Sequence, residues 1–135
     1  MVICAELFAS KLNEAGFVFE THDLDDGGTC ISFPYRGKTT NLFFSGDDEG
    51  RHVALRTVFE NCPADRVPDM LICCNVLNLK YRWLKFCIDG DNDIMVEDDA
   101  IVSPESASDE CMELLVRTAS ILDEAKPTIM RIIYG

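Results

Sequence analysis

Three aspartates at alternating positions, Asp89, Asp91 and Asp93, have the spacing of the first ligands of a calcium loop. An EF-hand loop begins with carboxylates at positions 1, 3 and 5, but it also requires glycine at position 6 and glutamate at position 12. Those two positions hold Ile94 and Ala100 here. The spacing therefore predicts a solvated acidic hairpin turn without a bound metal.

A second acidic turn, formed by Asp23, Asp25 and Asp26, fails the same test because its twelfth position is Pro34. The sequence also contains no HExxH metalloprotease motif, no GxSxG nucleophile motif and no glycine-rich phosphate loop. We therefore expect neither a metal nor a cofactor.

The seven cysteines are an odd number, and none is arranged as CxxC. The adjacent pair Cys73 and Cys74 would point about 100° apart on a helix, which does not suit tetrahedral zinc. Cysteines set among leucine, isoleucine and valine commonly behave as small hydrophobic residues. We expect reduced, buried thiols, as in a cytoplasmic protein.

A cysteine nucleophile with a histidine base is the remaining catalytic hypothesis, since Cys62 follows His52 by ten residues. No third residue is positioned to orient such a pair. Both histidines, His22 and His52, lie in predicted strands with polar neighbours and are expected at the surface. The sequence predicts no catalytic residue.

The chain is acidic, with a formal net charge of −12. This charge repels phosphate backbones and anionic membrane surfaces, so we expect neither nucleic acid nor a membrane as partner. The longest apolar runs, such as Met70 to Cys74, are too short to cross a bilayer, and the amino terminus lacks the cationic start of a signal peptide. A basic or apolar protein surface remains a suitable partner, and the expected location is the cytoplasm.

The elements that position these residues follow from periodicity and turn chemistry. Apolar residues at spacings of three and four predict a helix over residues 2–15, which Gly16 ends. Four segments rich in phenylalanine, valine, isoleucine and threonine then predict an antiparallel meander. The predicted strands are residues 17–22, 28–35, 39–45 and 51–60.

A second helix is predicted over residues 67–79, apolar nearly all round as expected for a helix wedged in the core. A hairpin follows, with arms 81–88 and 94–102. An amphipathic third helix then begins after Ser103 and Pro104, or alternatively at Ser108. Pro127 is predicted to interrupt it, which leaves residues 128–134 as a further helical turn or an extended arm.

The predicted fold class is α+β, in the order helix, four-strand antiparallel meander, helix, β-hairpin and C-terminal helix. No linker, repeat or low-complexity stretch divides the chain, so residues 1–135 are expected to form a single domain.

Residues 72–88 carry a resemblance to a known family. Asn75 and Asn78 precede the segment Trp83-Leu84-Lys85-Phe86 and the Asp89-Gly90 turn. This stretch, with the element order and the length, resembles the YbjN-like family of bacterial proteins, which are often labelled sensory transduction regulators. The family fold is similar to that of type III secretion chaperones. The resemblance implies a secretion-chaperone-like two-layer sandwich that could dimerise, and it brings no catalytic residues with it.

Charge is concentrated in the turns of the meander. The acidic turns 23–26 and 47–49 should share one end of the sheet, while Arg36 and Lys38 flank the turn at the opposite end. Simple solvation of turn residues is the favoured explanation. The alternative is an acidic rim that steers a basic partner, in which case binding would weaken with added salt.

The sequence favours a non-enzymatic, protein-binding regulatory or adaptor module whose partner is not identified. The alternative is a secretion-chaperone-like protein that binds an extended client segment. The apolar tail, with Ile129, Ile132, Ile133 and Tyr134, predicts a partner-binding or homodimer surface. Packing of the tail into the protein's own core is the competing interpretation.

Overall fold

One antiparallel sheet of six strands forms a layer of the molecule, and three helices cover one of its faces. The computed structural model describes residues 1–135. The sheet order is β1-β2-β3-β4-β6-β5, so the hairpin β5–β6 extends the meander through its second strand. In chain order the elements are α1 (Ile3–Glu14), β1 (Glu20–Asp23), β2 (Thr29–Tyr35), β3 (Lys38–Ser45), β4 (His52–Asn61), a 3-10 turn (Ala64–Arg66), α2 (Val67–Lys80), β5 (Lys85–Ile88), β6 (Asp93–Ile101) and α3 (Ala107–Tyr134).

This architecture confirms the predicted α+β class and the predicted element order. Alternate residues along each strand point toward the helices. The register pairs such residues with each other, as with Leu42 and Leu55 on neighbouring strands. The core has two adjoining parts. The first lies between α1, the amino-terminal part of α3 and strands β2 to β4, and the second lies between α2, the carboxyl-terminal part of α3 and strands β5 and β6.

Two predicted strands begin later than expected. The segment before β1 does not pair with β2. Instead Phe17 packs its ring against those of Phe33 and Tyr35, with centroids 5.7 and 5.8 Å apart. In the hairpin arm, β5 starts at Lys85, and Leu84 before it is buried under α2. In both places β-propensity alone predicts strand pairing. The side chains of Phe17 and Leu84 pack into the core instead, and the backbone there does not join the sheet.

The prediction that Pro127 interrupts the third helix is wrong, because α3 runs without a break to Tyr134. A proline inside a helix removes one hydrogen bond and costs about 3 kcal/mol. Continuing the helix buries Ile129 and Ile133, and full burial of such a side chain contributes about 1.5–3 kcal/mol. The packing gain therefore offsets the proline penalty.

None of the three helices is both long enough and apolar enough to span a membrane.

Candidate functional site

Helix α2 carries apolar side chains on two opposite faces. The inner face packs against the sheet and α3 and is formed by Met70, Cys73, Cys74 and Leu77. The outer face is 54–81% exposed and is formed by Leu71, Ile72, Val76 and Leu79. The prediction that this helix is wedged in the core is therefore wrong for its outer face. The reason is architectural, since the sheet has only one layer of helices and nothing lies above α2.

The outer face of α2 also lacks charge. No acidic or basic residue occurs between Asp69 and Lys80. Ile72, Val76 and Leu79 are spaced three and four residues apart and so form one stripe along the helix. Soluble monomers rarely leave a contiguous apolar stripe of this kind in water unless it binds something.

A groove runs beside this stripe, between α2 and the carboxyl-terminal part of α3. Its walls are Ile72, Cys73 and Val76 on one side and Thr128 and Ile132 on the other, with Asp69 at one end, and it encloses about 270 Å³. The two helices run antiparallel, because Lys80 at the end of α2 meets Glu124 of α3 with an Nζ to Oε1 distance of 3.6 Å. We call this groove, with the outer face of α2 and Trp83, the α2 surface.

Trp83 is a further exposed apolar residue, shortly after the end of α2. Its ring is 55% exposed and stacks on the guanidinium of Arg117, whose Cζ lies 4.6 Å from the ring centroid. Arg117 donates two hydrogen bonds to Oδ2 of the buried Asp98, from Nε at 3.2 Å and from Nη2 at 3.0 Å. Burial raises the pKa of Asp98, and the hydrogen bonds from Arg117 oppose that shift. Tryptophan and arginine held in this way are the residue types that dominate binding energy at protein interfaces.

Asn78 closes one edge of the sheet. Its Oδ1 accepts a hydrogen bond from the Phe86 amide at 2.7 Å, and its Nδ2 donates one to the Phe86 carbonyl at 3.0 Å. The side-chain amide thus takes the place of a neighbouring strand beside β5. The opposite edge, β1, has no strand on its outer side, and its four residues are all exposed. Sequence reasoning missed this role, although an asparagine on an otherwise apolar helix was a usable signal.

The predicted tail contacts separate into two groups. Ile129 and Ile133 are buried in the second part of the core. Ile132 lines the groove, and Tyr134 is exposed. The predicted partner or dimer contact of the tail therefore narrows to Ile132 and Tyr134 and stays a prediction.

The three hairpin aspartates do come together, with one carboxylate oxygen from each within 4.8 Å of the others. Their arrangement has a structural explanation. Oδ1 of Asp89 accepts hydrogen bonds from the amides of Asp91 and Asp93, at 2.9 and 3.0 Å. Asp89 therefore closes the turn between β5 and β6 through one of its two carboxylate oxygens.

The cysteine and histidine of the catalytic hypothesis lie far apart. His52 begins β4 and Cys62 follows its last residue. An extended strand rises about 3.3 Å per residue, so roughly 30 Å separate the two side chains. Cys62 is also buried, and burial raises the pKa of its thiol. The structure does not bring these two residues together as a nucleophile and its base.

Cys74 and Cys111 are buried as well. Burial raises the pKa of Cys74 to about 11 and that of Cys111 to about 12. Thiols with such pKa values are neutral at pH 7, and the neutral thiol is neither a good nucleophile nor a metal ligand. Their contribution is to packing.

The two acidic turns of the meander meet at one end of the sheet, as predicted. Asp26 of the first turn and Asp47 and Asp48 of the third line the same polar hollow. At the opposite end, Arg36 pairs with Asp123 of α3.

A family model and several solved structures match this chain. The model of the YbjN family, described as "Putative bacterial sensory transduction regulator", matches residues 5–130. The chain belongs to the YbjN family. None of the curated proteins matches it.

YbjN of E. coli has a similar crystal structure, with 13% sequence identity, a TM-score of 0.64 and 92% of each chain covered. The Yersinia pestis type III secretion chaperone SycH, in complex with a fragment of YscM2, matches at 10% identity and a TM-score of 0.54, over 87% of this chain and 98% of SycH. A chain of the ExsC–ExsE complex matches at 12% identity and a TM-score of 0.53, over 100% of this chain and 99% of its own length. These likenesses establish the fold, and the chaperone-like sandwich is confirmed.

The YbjN family and its structural relatives are thus proteins of regulator and chaperone kinds. SycH and ExsC are each seen with a protein partner, YscM2 and ExsE respectively.

Proposed function

We propose that this YbjN-family protein is a non-catalytic regulatory or adaptor module that binds another protein through its α2 surface. The observation that carries the proposal is the uncharged, exposed outer face of α2, formed by Leu71, Ile72, Val76 and Leu79, together with the exposed Trp83 that follows the helix. Covering a half-exposed leucine or isoleucine contributes on the order of 1 kcal/mol, so four such side chains offer a substantial driving force for binding.

The surroundings of the stripe support a docking role. The groove beside it lies between two antiparallel helices, and grooves of that kind accept the apolar face of a partner segment. Trp83 is held by Arg117, so it loses little side-chain freedom when a partner covers it. Seven free cysteines without a disulfide are typical of reducing compartments, which supports a cytoplasmic place for this activity.

A matched pair of variants tests the proposal. Val76→Asp places a charge in the middle of the stripe. Ile101→Asp makes the same kind of change on β6, where Ile101 is 75% exposed and points away from the helices. Both positions are at the surface, so both variants should fold, which circular dichroism checks.

Affinity capture from native lysate, followed by mass spectrometry, is the measurement. We expect the wild-type chain and Ile101→Asp to recover the same protein, and Val76→Asp to lose it. Repeated recovery of the bare chain, or equal capture by all three forms, would contradict the proposal.

A second candidate function, binding of an extended client segment as in secretion chaperones, is favoured by the open edge of β1. The hydrogen bond from the Leu24 amide to the Gly28 carbonyl, at 2.9 Å, sets the alternation of the β1–β2 ladder. By that alternation the amide and carbonyl of Thr21 point away from β2. An added strand would bond to these groups, whereas Asn78 already occupies the equivalent groups of Phe86 at the other edge.

Thr21→Pro removes the outward amide without breaking the ladder, since proline is tolerated on the free side of an edge strand. If an extended client adds to β1, capture of that client should fall in Thr21→Pro and persist in Thr21→Val. Capture that depends on Val76 and not on Thr21 would instead exclude strand addition.

A further inference from the structure

Charge is divided unevenly between the α2 surface and the rest of the protein. Residues 67–88, which form α2, the following turn and β5, and residues 116–135 of α3 hold six of the twelve basic residues and three of the 24 acidic ones. This part of the chain therefore carries a net charge of +3. The remainder has six basic residues against 21 acidic ones, which is −15. The apolar docking surface thus belongs to a net positive part of an acidic protein.

Two arginines in this part of the chain form no ion pair with a carboxylate. Arg82 follows α2 beside Trp83 and forms no ion pair, and Arg131 contacts only the Thr128 hydroxyl, with Nη2 to Oγ1 at 3.5 Å. Elsewhere, by contrast, Arg36, Arg51 and Arg56 each meet an aspartate. In a chain with twice as many acidic as basic residues, these unpaired cations leave room for carboxylates from outside, and the groove itself is uncharged apart from Asp69 at one end.

We propose that the α2 surface receives an acidic amphipathic helix of another protein. This inference rests on the proposed function and names the chemistry of the partner. The partner's apolar side chains enter the groove between Val76 and Ile132 and cover Leu79 and Trp83. Its acidic side chains face Arg82 at one end and Arg131 along the α3 wall.

A helix fits better here than an extended segment. The stripe from Ile72 to Leu79 spans about two helical turns, or roughly 10 Å, and Trp83 adds an apolar contact beyond the helix, which together suit a short amphipathic helix. Both walls of the groove are helices, and the backbone amides and carbonyls of each are already hydrogen-bonded within that helix. An extended strand would find no free backbone partners there.

Two other occupants fit the charges less well. In a homodimer through this face, two surfaces of net charge +3 would meet while their bodies of −15 repel each other. An anionic membrane would attract the positive side but would repel the larger negative remainder.

Trp83 provides a direct test, because it is the only tryptophan of the chain. The probes are two synthetic tryptophan-free helical peptides of about five turns, with identical leucines at spacings of three and four. One carries glutamate and the other lysine at its polar positions. The full-length protein is titrated with each while the emission of Trp83 is recorded.

We expect a saturable blue shift with the acidic peptide only. Its affinity should fall when salt rises from about 0.1 M to about 1 M, since the Debye length shrinks from about 10 Å to about 3 Å. In the double variant Arg82→Glu with Arg131→Glu, the affinity should fall about tenfold, because each reversed surface charge removes one attraction and adds one repulsion. The matched control is Lys126→Glu. Lys126 is counted in the same +3, but it lines a different hollow with Arg36 and Lys38, so this variant should bind as the wild type.

The inference is wrong if the acidic peptide leaves the Trp83 emission unchanged, or if the basic peptide shifts it equally. It is also wrong if phosphatidylglycerol vesicles shift the emission. A fourth contrary result is an emission that shifts with protein concentration while light scattering shows a doubled mass. The last would make a second copy the occupant. If Val76→Asp loses the partner captured from lysate while Arg82→Glu with Arg131→Glu keeps it, the proposed function stands and the acidic partner is refuted. Loss of the partner in both variants supports the two together.

Discussion

Removing the guanidinium of Arg117 should expose how strongly the α2 surface depends on a buried charge beneath it. The side chain of Asp98 is only 2% exposed, and both of its hydrogen bonds from another side chain come from Arg117. Arg117→Met keeps much of the length and apolar stem of the residue. It leaves the carboxylate of Asp98 buried without its cation, and it removes the stacking on Trp83.

The expected loss of stability at pH 7 is about 3 kcal/mol. Breaking a buried ion pair by removing one partner costs about 3–5 kcal/mol, and the lower end applies because Arg117 is itself partly exposed. For a chain of this length each kcal/mol corresponds to about 3–4 °C in melting temperature. The variant should therefore melt about 10 °C below the wild type.

The pH dependence has a definite sign. Burial already raises the pKa of Asp98, and removal of Arg117 takes away the interactions that lower it, so the pKa rises further. An acid whose folded-state pKa lies above its unfolded-state value loses stability as pH rises from the unfolded to the folded pKa. The penalty of Arg117→Met is therefore largest above that interval and shrinks on acidification, as Asp98 takes up a proton.

Urea denaturation of the wild type, Arg117→Met and the double variant Asp98→Asn with Arg117→Met is the assay, run at neutral pH and at about pH 4.5. The double variant contains no buried charge to leave unpaired, so it should be more stable than Arg117→Met at neutral pH, by about 1–2 kcal/mol. If Arg117→Met loses less than about 1 kcal/mol at neutral pH, or if its loss is the same at both pH values, the assignment of a buried, charge-dependent Asp98 is wrong.

Three further results are expected. Asn78→Ala should lower the free energy of unfolding in urea by about 1–2 kcal/mol, because the Phe86 amide and carbonyl lose their partners. It should also increase self-association by opening the β5 edge. An unchanged urea midpoint would show that Asn78 does not cap this edge. Pro127→Ala should raise the melting temperature, since alanine restores a helix hydrogen bond at a position where proline costs about 3 kcal/mol, and a lower melting temperature would show that the proline is accommodated without strain. Calcium should leave the melting temperature unchanged, because the sixth and twelfth positions of the calcium-loop template hold Ile94 and Ala100; a rise that depends on Asp91 would show that the hairpin binds the ion after all.

Local signals in the sequence predicted the elements well. Gly16 has a φ of +82°, in the left-handed region that ends α1 as expected. The alternation of β4 and the turn residues between β5 and β6 also have their predicted roles. These features depend on residues close together in the chain, so propensity and periodicity could identify them.

Contacts between distant residues could not be read in this way. Asn78 meets Phe86 only because the chain reverses between α2 and β5. Arg117 lies in α3 and contacts Trp83, which precedes β5, and Asp98 of β6. The continuation of α3 past Pro127 likewise depends on what Ile129 and Ile133 can bury, which the local rule for proline does not include.

By itself, the sequence determined the α+β element order, the YbjN resemblance, and the failure of the calcium template at Ile94 and Ala100. It also showed that α2 is apolar nearly all round. Only the tertiary structure decided which side of α2 is left in water, because that depends on how many helices cover the sheet. For the same reason, the apolar groove became visible only after α2 and α3 had been brought side by side.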